Sequence, residues 1–300
     1  MTSLRIACAQ YPISAFDDPA DWAGKVSAWV AEAAQAQAKL LLFPEYGAME
    51  MASLLEPALQ ADLPGQIMAL QEFLPAFLER YAGLAQQHGV TIVAPSFPVQ
   101  VGQHFVNRAH VFGPDGRFAW QDKRQMTRFE REDWIIQGGE SLQLFDTGLG
   151  CRFAIAVCYD VEFPLISRAL AEAGADLILA PSCTDTLAGM HRVHVGARAR
   201  ALESQIYVAV AQTVGDAAWS PAVDVNHGIA AIYATPDRGF PDDGILVQGE
   251  LDKPGWICAT LDLMALETTR ARAQVFTRRD WSGQDKPDLS VSQAAFRPLG

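Results

Sequence analysis

Several apolar runs in this chain are too short for a helix, and each ends on a polar or charged side chain. Residues 40–43 stop at Pro44 and Glu45, residues 152–157 at Cys158, and residues 176–181 at Ser182 and Cys183. Unbroken runs of this length read as strands covered on both faces, the kind found in α/β layers with helices outside. Segments of helical length lie between them. Asp18-Pro19 supplies a cap and a first-turn proline for a helix ending near Gln37, and apolar spacing from Met68 to Leu84 predicts a helix over residues 66–88, stopped by Gly89. Residues 163–173, closed by Gly174, and residues 189–204 read as two more. In an open α/β layer ligands bind beyond the carboxyl ends of the strands, which is where Glu45 and Cys158 stand.

Further strands are expected at residues 5–10, 90–95, 105–112, 142–147, 206–212, 227–234 and 256–261. Gly113-Pro114-Asp115-Gly116 is a turn that doubles the chain back through Phe118-Ala119-Trp120. Residues 121–132 read as a solvated polar loop, and residues 213–226 and 235–254 as Gly-, Pro- and Asp-rich loops. The two halves repeat a similar order with no break in composition. This predicts one domain over residues 1–280 with a tail at 281–300, built as two sheets packed face to face with helices outside.

Composition narrows the function. A net charge of −12, from 23 basic and 35 acidic residues, argues against nucleic acid or an anionic membrane as partner, since both require clustered Lys and Arg. No apolar run approaches a membrane span and the first residues lack a secretion signal, so a cytoplasmic protein is expected. Five cysteines, an odd count with no Cys-x-x-Cys pair, fit free thiols. His191 and His194 are three apart, too few ligands for a metal, and read as solvated helix polarity.

Phe43-Pro44-Glu45, Asp122-Lys123-Arg124 and Cys158-Tyr159-Asp160 with Glu162-Phe163-Pro164 resemble, in order and context, the three motifs of the nitrilase or carbon–nitrogen hydrolase superfamily. The resemblance runs from Ala9-Gln10 through Arg200-Ala201-Leu202-Glu203. It implies a four-layer αββα sandwich of two mixed β-sheets, a homo-oligomer of two or more copies, no cofactor and no metal, and a small amide substrate. It also implies a catalytic triad of Glu45, Lys123 and Cys158. Glu130, seven residues after the lysine, resembles a second pocket glutamate, with Glu132 as its rival. Thr184 stands where family members contact substrate.

These roles have a physical basis. A thiol with a pKa of about 8.5 needs a base, and Glu45 is the carboxylate that could take its proton. The Lys123 ammonium and the backbone N–H of Tyr159 would hold the charge growing on a substrate carbonyl oxygen, at about 3 kcal/mol per donor. Each residue also has an ordinary alternative: cysteine is often simply buried, and isolated Glu and Lys are usually surface groups. Glu162 and Arg168 are expected to support the turn at Cys158, and Glu203 to be a buried hydrogen-bonding support. Tyr159 and Asp160 after the cysteine, in place of the Trp and Glu of nitrilases, point to an amide. The expected activity is a cysteine-dependent amidohydrolase cleaving a small carboxamide or N-carbamoyl compound through a thioester. The alternatives are a nitrilase and a catalytically inactive binding member.

Overall fold

The computed structural model describes residues 3–284. The first half of the chain sets down β1 (Ser3–Pro12), α1 (Pro19–Gln35) and β2 (Leu40–Leu42), then α2 (Pro57–Gln60), α3 (Leu63–Leu70) and α4 (Leu74–His88). Strands β3 (Thr91–Val93), β4 (Phe97–Val101), β5 (His104–Phe112) and β6 (Phe118–Asp122) follow, then α5 (Arg128–Glu132) and β7 (Ile136–Gln137). The second half opens with β8 (Leu144–Asp146), β9 (Arg152–Ile155), α6 (Pro164–Glu172), β10 (Leu177–Ser182) and α7 (Leu187–Ser204). It continues through β11 (Tyr207–Asp216), β12 (Val225–Asn226), β13 (Ala231–Tyr233), β14 (Ile245–Gln248) and β15 (Gly255–Asp262) to α8 (Leu263–Arg272) and α9 (Thr277–Asp280).

Local chemistry sets the helix ends. The Asp18 carboxylate accepts the Ala20 N–H at 2.7 Å and Pro19 opens α1, while Gly89, at φ +61°, closes α4. The single helix expected over residues 66–88 is two helices. Pro75 has no N–H to donate and its ring crowds the preceding turn, so α3 ends at Leu70 and α4 begins at Leu74. Two expected loops hold strands, because β11 runs on to Asp216, β12 answers it at Val225–Asn226, and β14 pairs with β13.

The two half-sheets are hydrogen-bonded to each other. One continuous strand order, β4-β5-β3-β2-β1-β11-β10-β9-β8, joins the halves into a single curled mixed sheet. β1 pairs with β15 over Ser3–Gln10 and then with β11, Gln10–Pro12 matching Gln212–Val214 in parallel. This three-residue seam lies beyond the apolar runs and stitches two half-sheets together at their carboxyl ends.

Strand alternation divides the core. Leu4, Ile6, Cys8, Leu40 and Leu42 join Val208, Val210 and Ile232 from the other half-sheet in one apolar cluster. Ala7, Ala9, Tyr11, Leu41 and Phe43 turn the opposite way, onto Trp22, Val26 and Val30 of α1 and Phe77 and Tyr81 of α4. Fully burying a side chain of the larger kinds is worth about 1.5–3 kcal/mol, so both faces anchor the strands whose ends carry the polar residues. Trp281 of the expected tail lies under the Arg168 guanidinium, 5.0 Å from its ring centre, whereas residues 285–300 of that tail lie outside the described residues.

Candidate active site

Three turns deliver the predicted residues to one place. After β2, the Phe43 N–H still bonds the Val93 carbonyl at 2.9 Å, Pro44 ends the ladder, and Tyr46 enters the left-handed region at φ +52° with its N–H on Ser96 Oγ. Lys123 follows β6, its N–H on the Asn107 carbonyl at 2.9 Å and its own carbonyl accepting Gly139 N–H at 2.8 Å. Cys158 lies three residues past the end of β9, on a short 3-10 turn, at φ +48°. Non-glycine residues rarely hold such angles, and a strained turn of this kind aims a side chain out of the backbone. Helix α7 braces it closely: a Cβ on Gly196 would meet the Val161 carbonyl oxygen at 3.1 Å.

Lys123 Nζ bonds Glu45 Oε1 at 2.8 Å and Glu130 Oε2 at 2.7 Å, and these three side chains are 1%, 1% and 2% exposed. Asn107 Nδ2 donates to Glu45 Oε1 at 2.8 Å and to Glu130 Oε1 at 3.3 Å, and the Tyr46 hydroxyl donates to Glu130 Oε1 at 2.7 Å. The other Glu45 oxygen, Oε2, accepts the backbone N–H of Cys183 at 3.0 Å. Cys158 Sγ lies 3.8 Å from the Cys183 carbonyl oxygen. One residue, Cys183, thus touches both groups, its N–H on the carboxylate and its carbonyl beside the thiol.

The environment pushes the two carboxylates apart. Burial raises the pKa of Glu45, aided by the Glu130 charge, and Lys123 only partly offsets this. Burial acts on Glu130 in the same sense, but the Lys123 ammonium and the Lys123 and Tyr46 hydrogen bonds outweigh it and hold Glu130 below its ordinary value. Burial alone would lower the pKa of Lys123, yet its two carboxylates lift it well above normal. Burial and then Glu45 push the Cys158 thiol up, while Lys123 pulls it down. A thiol so placed stays protonated until a base takes the proton, and Glu45 is the neighbouring carboxylate with the raised proton affinity.

The loop at residues 121–132 is not the solvated surface its composition suggests. Thr127 caps α5, its Oγ1 accepting Glu130 N–H, while Glu130 Oε2 accepts both the Thr127 N–H and hydroxyl at 2.9 Å. Met126 and Trp134 are buried, and the Asp160 carboxylate accepts Arg124 N–H at 3.0 Å and Gln125 N–H at 2.7 Å. Glu132, the rival of Glu130, points outward and pairs with Arg128. Asn107, Tyr46, Asp160 and the Cys183 peptide were not among the sequence candidates. Asn107 interrupts an apolar strand, and Thr127 and Glu130 have capping-box spacing, which are the signals the sequence offered.

Other expectations resolve individually. Tyr159 is half-buried beside Cys158, its ring edge-on to Phe163. Thr184 lines the hollow in front of Cys158, but its hydroxyl already donates to the His227 carbonyl at 2.7 Å and accepts from Gln212 Nε2 at 3.2 Å. Glu162 lies 3.9 Å from Arg192 of α7, whereas Arg168 bonds Glu172 and packs on Trp281, away from the Cys158 turn. Glu203 is not buried: its side chain is 30% exposed and pairs with Arg200. His194 is not solvated either, since burial places it between Tyr233 and Gln212. Among the described residues no three His, Cys, Asp or Glu side chains converge as metal ligands, and no helix is long and apolar enough to cross a membrane.

Two adjoining hollows of about 450 and 370 Å³ open onto Cys158 and share Cys183, Thr127, Arg128, Asp185 and Arg192. The smaller reaches Glu45, Lys123, Glu130, Tyr46 and Trp134. Together they fit a small molecule carrying one reacting carbonyl. A groove of about 580 Å³ between α1 and α4 presents no nucleophile.

Residues 5–270 match the family described as carbon-nitrogen hydrolase. The chain is 30% identical over 280 residues to the probable hydrolase YhcX of Bacillus subtilis, covering 92% of this chain and 53% of that protein. It therefore spans about half the length of that relative. It is 26% identical over 245 residues to the human omega-amidase, covering 75% of this chain and 82% of that one. Among solved structures, a mutant of the amidase from Nesterenkonia sp. AN1, bearing the result of Michael addition of acrylamide at its active-site cysteine, superposes with a TM-score of 0.68. It is 25% identical over 93% of this chain and 99% of that one.

Proposed function

Because this chain belongs to the carbon-nitrogen hydrolase family, we propose that it is a cysteine-dependent amidohydrolase that cleaves a small carboxamide or N-carbamoyl compound and releases ammonia. The observation that carries this reading is the buried contact of Glu45, Lys123 and Glu130 beside the strained turn of Cys158. Glu45 takes the thiol proton as Sγ attacks the carbonyl carbon. Lys123 and the Tyr159 backbone N–H stabilise the oxygen that becomes negative. The C–N bond breaks, Glu45 returns its proton to the leaving nitrogen, and a thioester remains on Cys158. Water then attacks the thioester, giving up a proton to Glu45. The carboxylic acid departs and Cys158 recovers its hydrogen. Glu130, which bonds Lys123 Nζ at 2.7 Å and helps raise its pKa, keeps Lys123 charged and aimed.

The mouth of the site supports an acyl group with its own carboxylate. Arg192 is 62% exposed there and makes only the 3.9 Å contact with Glu162, leaving its planar fork open to a bidentate partner. An ω-amide and an N-carbamoyl amino acid both carry such a group, and omega-amidases are among the relatives. The same reading takes the half-sheets as the inner layers of a four-layer sandwich, paired with a second copy in the cytoplasm.

The test is ammonia release from a panel of ω-amides, neutral aliphatic amides, N-carbamoyl amino acids and nitriles, with intact-mass detection of an acyl adduct. Turnover of amides or carbamoyl compounds, an adduct on Cys158 and none on Cys158→Ala are expected. Turnover of nitriles alone, of nothing in the panel, or full activity in Cys158→Ala would refute the proposal.

A further inference from the structure

His194 and Gln212 touch neither the thiol nor its carboxylate, yet an oriented series of hydrogen bonds connects them to Thr184, the neighbour of Cys183, whose backbone touches both. His194, on α7, lies 2.6 Å from the Tyr233 hydroxyl through Nδ1 and 3.0 Å from Gln212 Oε1 through Nε2. Gln212 Oε1 also accepts the Ile229 N–H at 2.9 Å, and an amide oxygen can only accept. His194 Nε2 must therefore carry the hydrogen, Nδ1 is bare, and the Tyr233 hydroxyl donates to it. Burial holds the pKa of the ring below its ordinary value, which favours this neutral tautomer.

The Gln212 amide is fixed in turn. With its oxygen committed to His194 and Ile229, its Nε2 donates to Thr184 Oγ1 at 3.2 Å, and the threonine hydrogen goes to the His227 carbonyl at 2.7 Å. The His227 N–H returns a bond to the Thr184 carbonyl at 2.9 Å. Every donor from Tyr233 to Thr184 points the same way. Gln212 is fully buried and Thr184 is 8% exposed, so no competing water is needed to satisfy the series.

Thr184 follows Cys183 directly, and the two faces of that residue's backbone meet the site: its N–H holds Glu45 Oε2, and its carbonyl lies against Cys158 Sγ. Glu45 Oε1 already accepts from Lys123 and Asn107. Oε2, with one donor, is the oxygen with a lone pair free to take a proton.

We infer that Tyr233, His194, Gln212 and Thr184 form a positioning series that fixes the Cys183 backbone and so aims Glu45 Oε2 at Cys158. The inference rests on the proposed role of Glu45 as the base. These residues act through Cys183 and Glu45 and contribute no chemistry of their own. Their loss lowers the rate of proton transfer and leaves substrate affinity largely alone.

The experiment compares wild type with Gln212→Met, His194→Phe and Tyr233→Phe. It measures kcat and KM on the best amide of the panel, and the rate at which iodoacetamide alkylates Cys158, read by peptide mass mapping. Alkylation needs thiol activation but no amide turnover, so it remains informative if the amidase reading fails. The expected result is a fall in kcat of at least fivefold for Gln212→Met and His194→Phe, with KM within twofold and alkylation slowed in step. Tyr233→Phe, which removes only the terminal hydroxyl from a retained ring, should show a two- to threefold loss in the same sense. If the larger substitutions do not fold, Tyr233→Phe decides alone. Folded variants with unchanged kcat and unchanged alkylation would overturn the inference, as would a rise in KM with kcat and alkylation intact.

Discussion

The Asp160 carboxylate accepts the backbone N–H of Gln125 at 2.7 Å and of Arg124 at 3.0 Å, so the turn presenting Cys158 is tied to the loop presenting Lys123. Burial raises the Asp160 pKa to about 6 in spite of those bonds. The Cys158 thiol and the Lys123 ammonium are thus registered by a carboxylate to which the proposed mechanism gives no chemical step.

Asp160 should therefore hold activity at some expense of stability. Its folded pKa lies above its unfolded value, so the folded state binds more protons between the two, and stability from this group falls as pH rises through about 6. A shift of that size is worth roughly 3 kcal/mol. Asp160→Asn, which keeps an oxygen for both N–H groups, should gain stability over wild type between pH 5 and 7.5 in urea unfolding. Asp160→Ala should lose the tie, with kcat down by about 10- to 100-fold, the size seen when supporting partners of reactive groups are removed.

Glu130→Gln offers a test with a worked sign. The ionised Glu130 raises the pKa of Glu45 and shares Lys123 with it. Neutralising Glu130 removes the repulsion and leaves the ammonium to Glu45, so the Glu45 pKa should fall. On the proposed mechanism activity requires ionised Glu45, so the acid limb of kcat/KM should move to lower pH. kcat at the optimum should drop about 100-fold as Lys123 loses its second anchor. An unmoved acid limb would dissociate it from Glu45.

Lys123→Met should be costly to the fold as well as to activity. It leaves two buried carboxylates facing each other without a cation, which removes about 3–5 kcal/mol from a typical total of roughly 5–15. Adding Glu130→Gln to Lys123→Met should recover part of that loss, measured as a rise in the urea midpoint, with no return of activity.

Arg192→Ala separates substrates. For an amide bearing a carboxylate, KM should rise about tenfold or more as a charge-assisted pair is lost, whereas a neutral amide of similar size should be affected less than twofold. Equal effects on both would show that Arg192 shapes the mouth without reading charge.

The contrast between Lys123 and Asn107 explains what was legible. Lys123, Glu45 and Cys158 each sit in a short motif whose meaning is local, and Glu130 keeps a fixed spacing from the lysine. Asn107 is a polar interruption of a strand, but nothing local ties it to Glu45; its burial arises because β5 is flanked by β3, β4, β6 and β7. Asp160 could not be read because its partners are backbone N–H groups, which carry no sequence mark. The long helix at residues 66–88 was misjudged because apolar spacing persists across Pro75. The continuity between the half-sheets was not legible because the seam is three residue pairs at the polar ends of two strands.

That seam has a temporal consequence. Glu45 and Lys123 belong to the part of the polypeptide synthesised first and Cys158 and Cys183 to the part synthesised later, and β1 meets β11 only once both have emerged from the ribosome. On the proposed mechanism a nascent or partly unravelled molecule would carry a sulfhydryl with no base beside it, so chemical competence would wait until β1 and β11 meet.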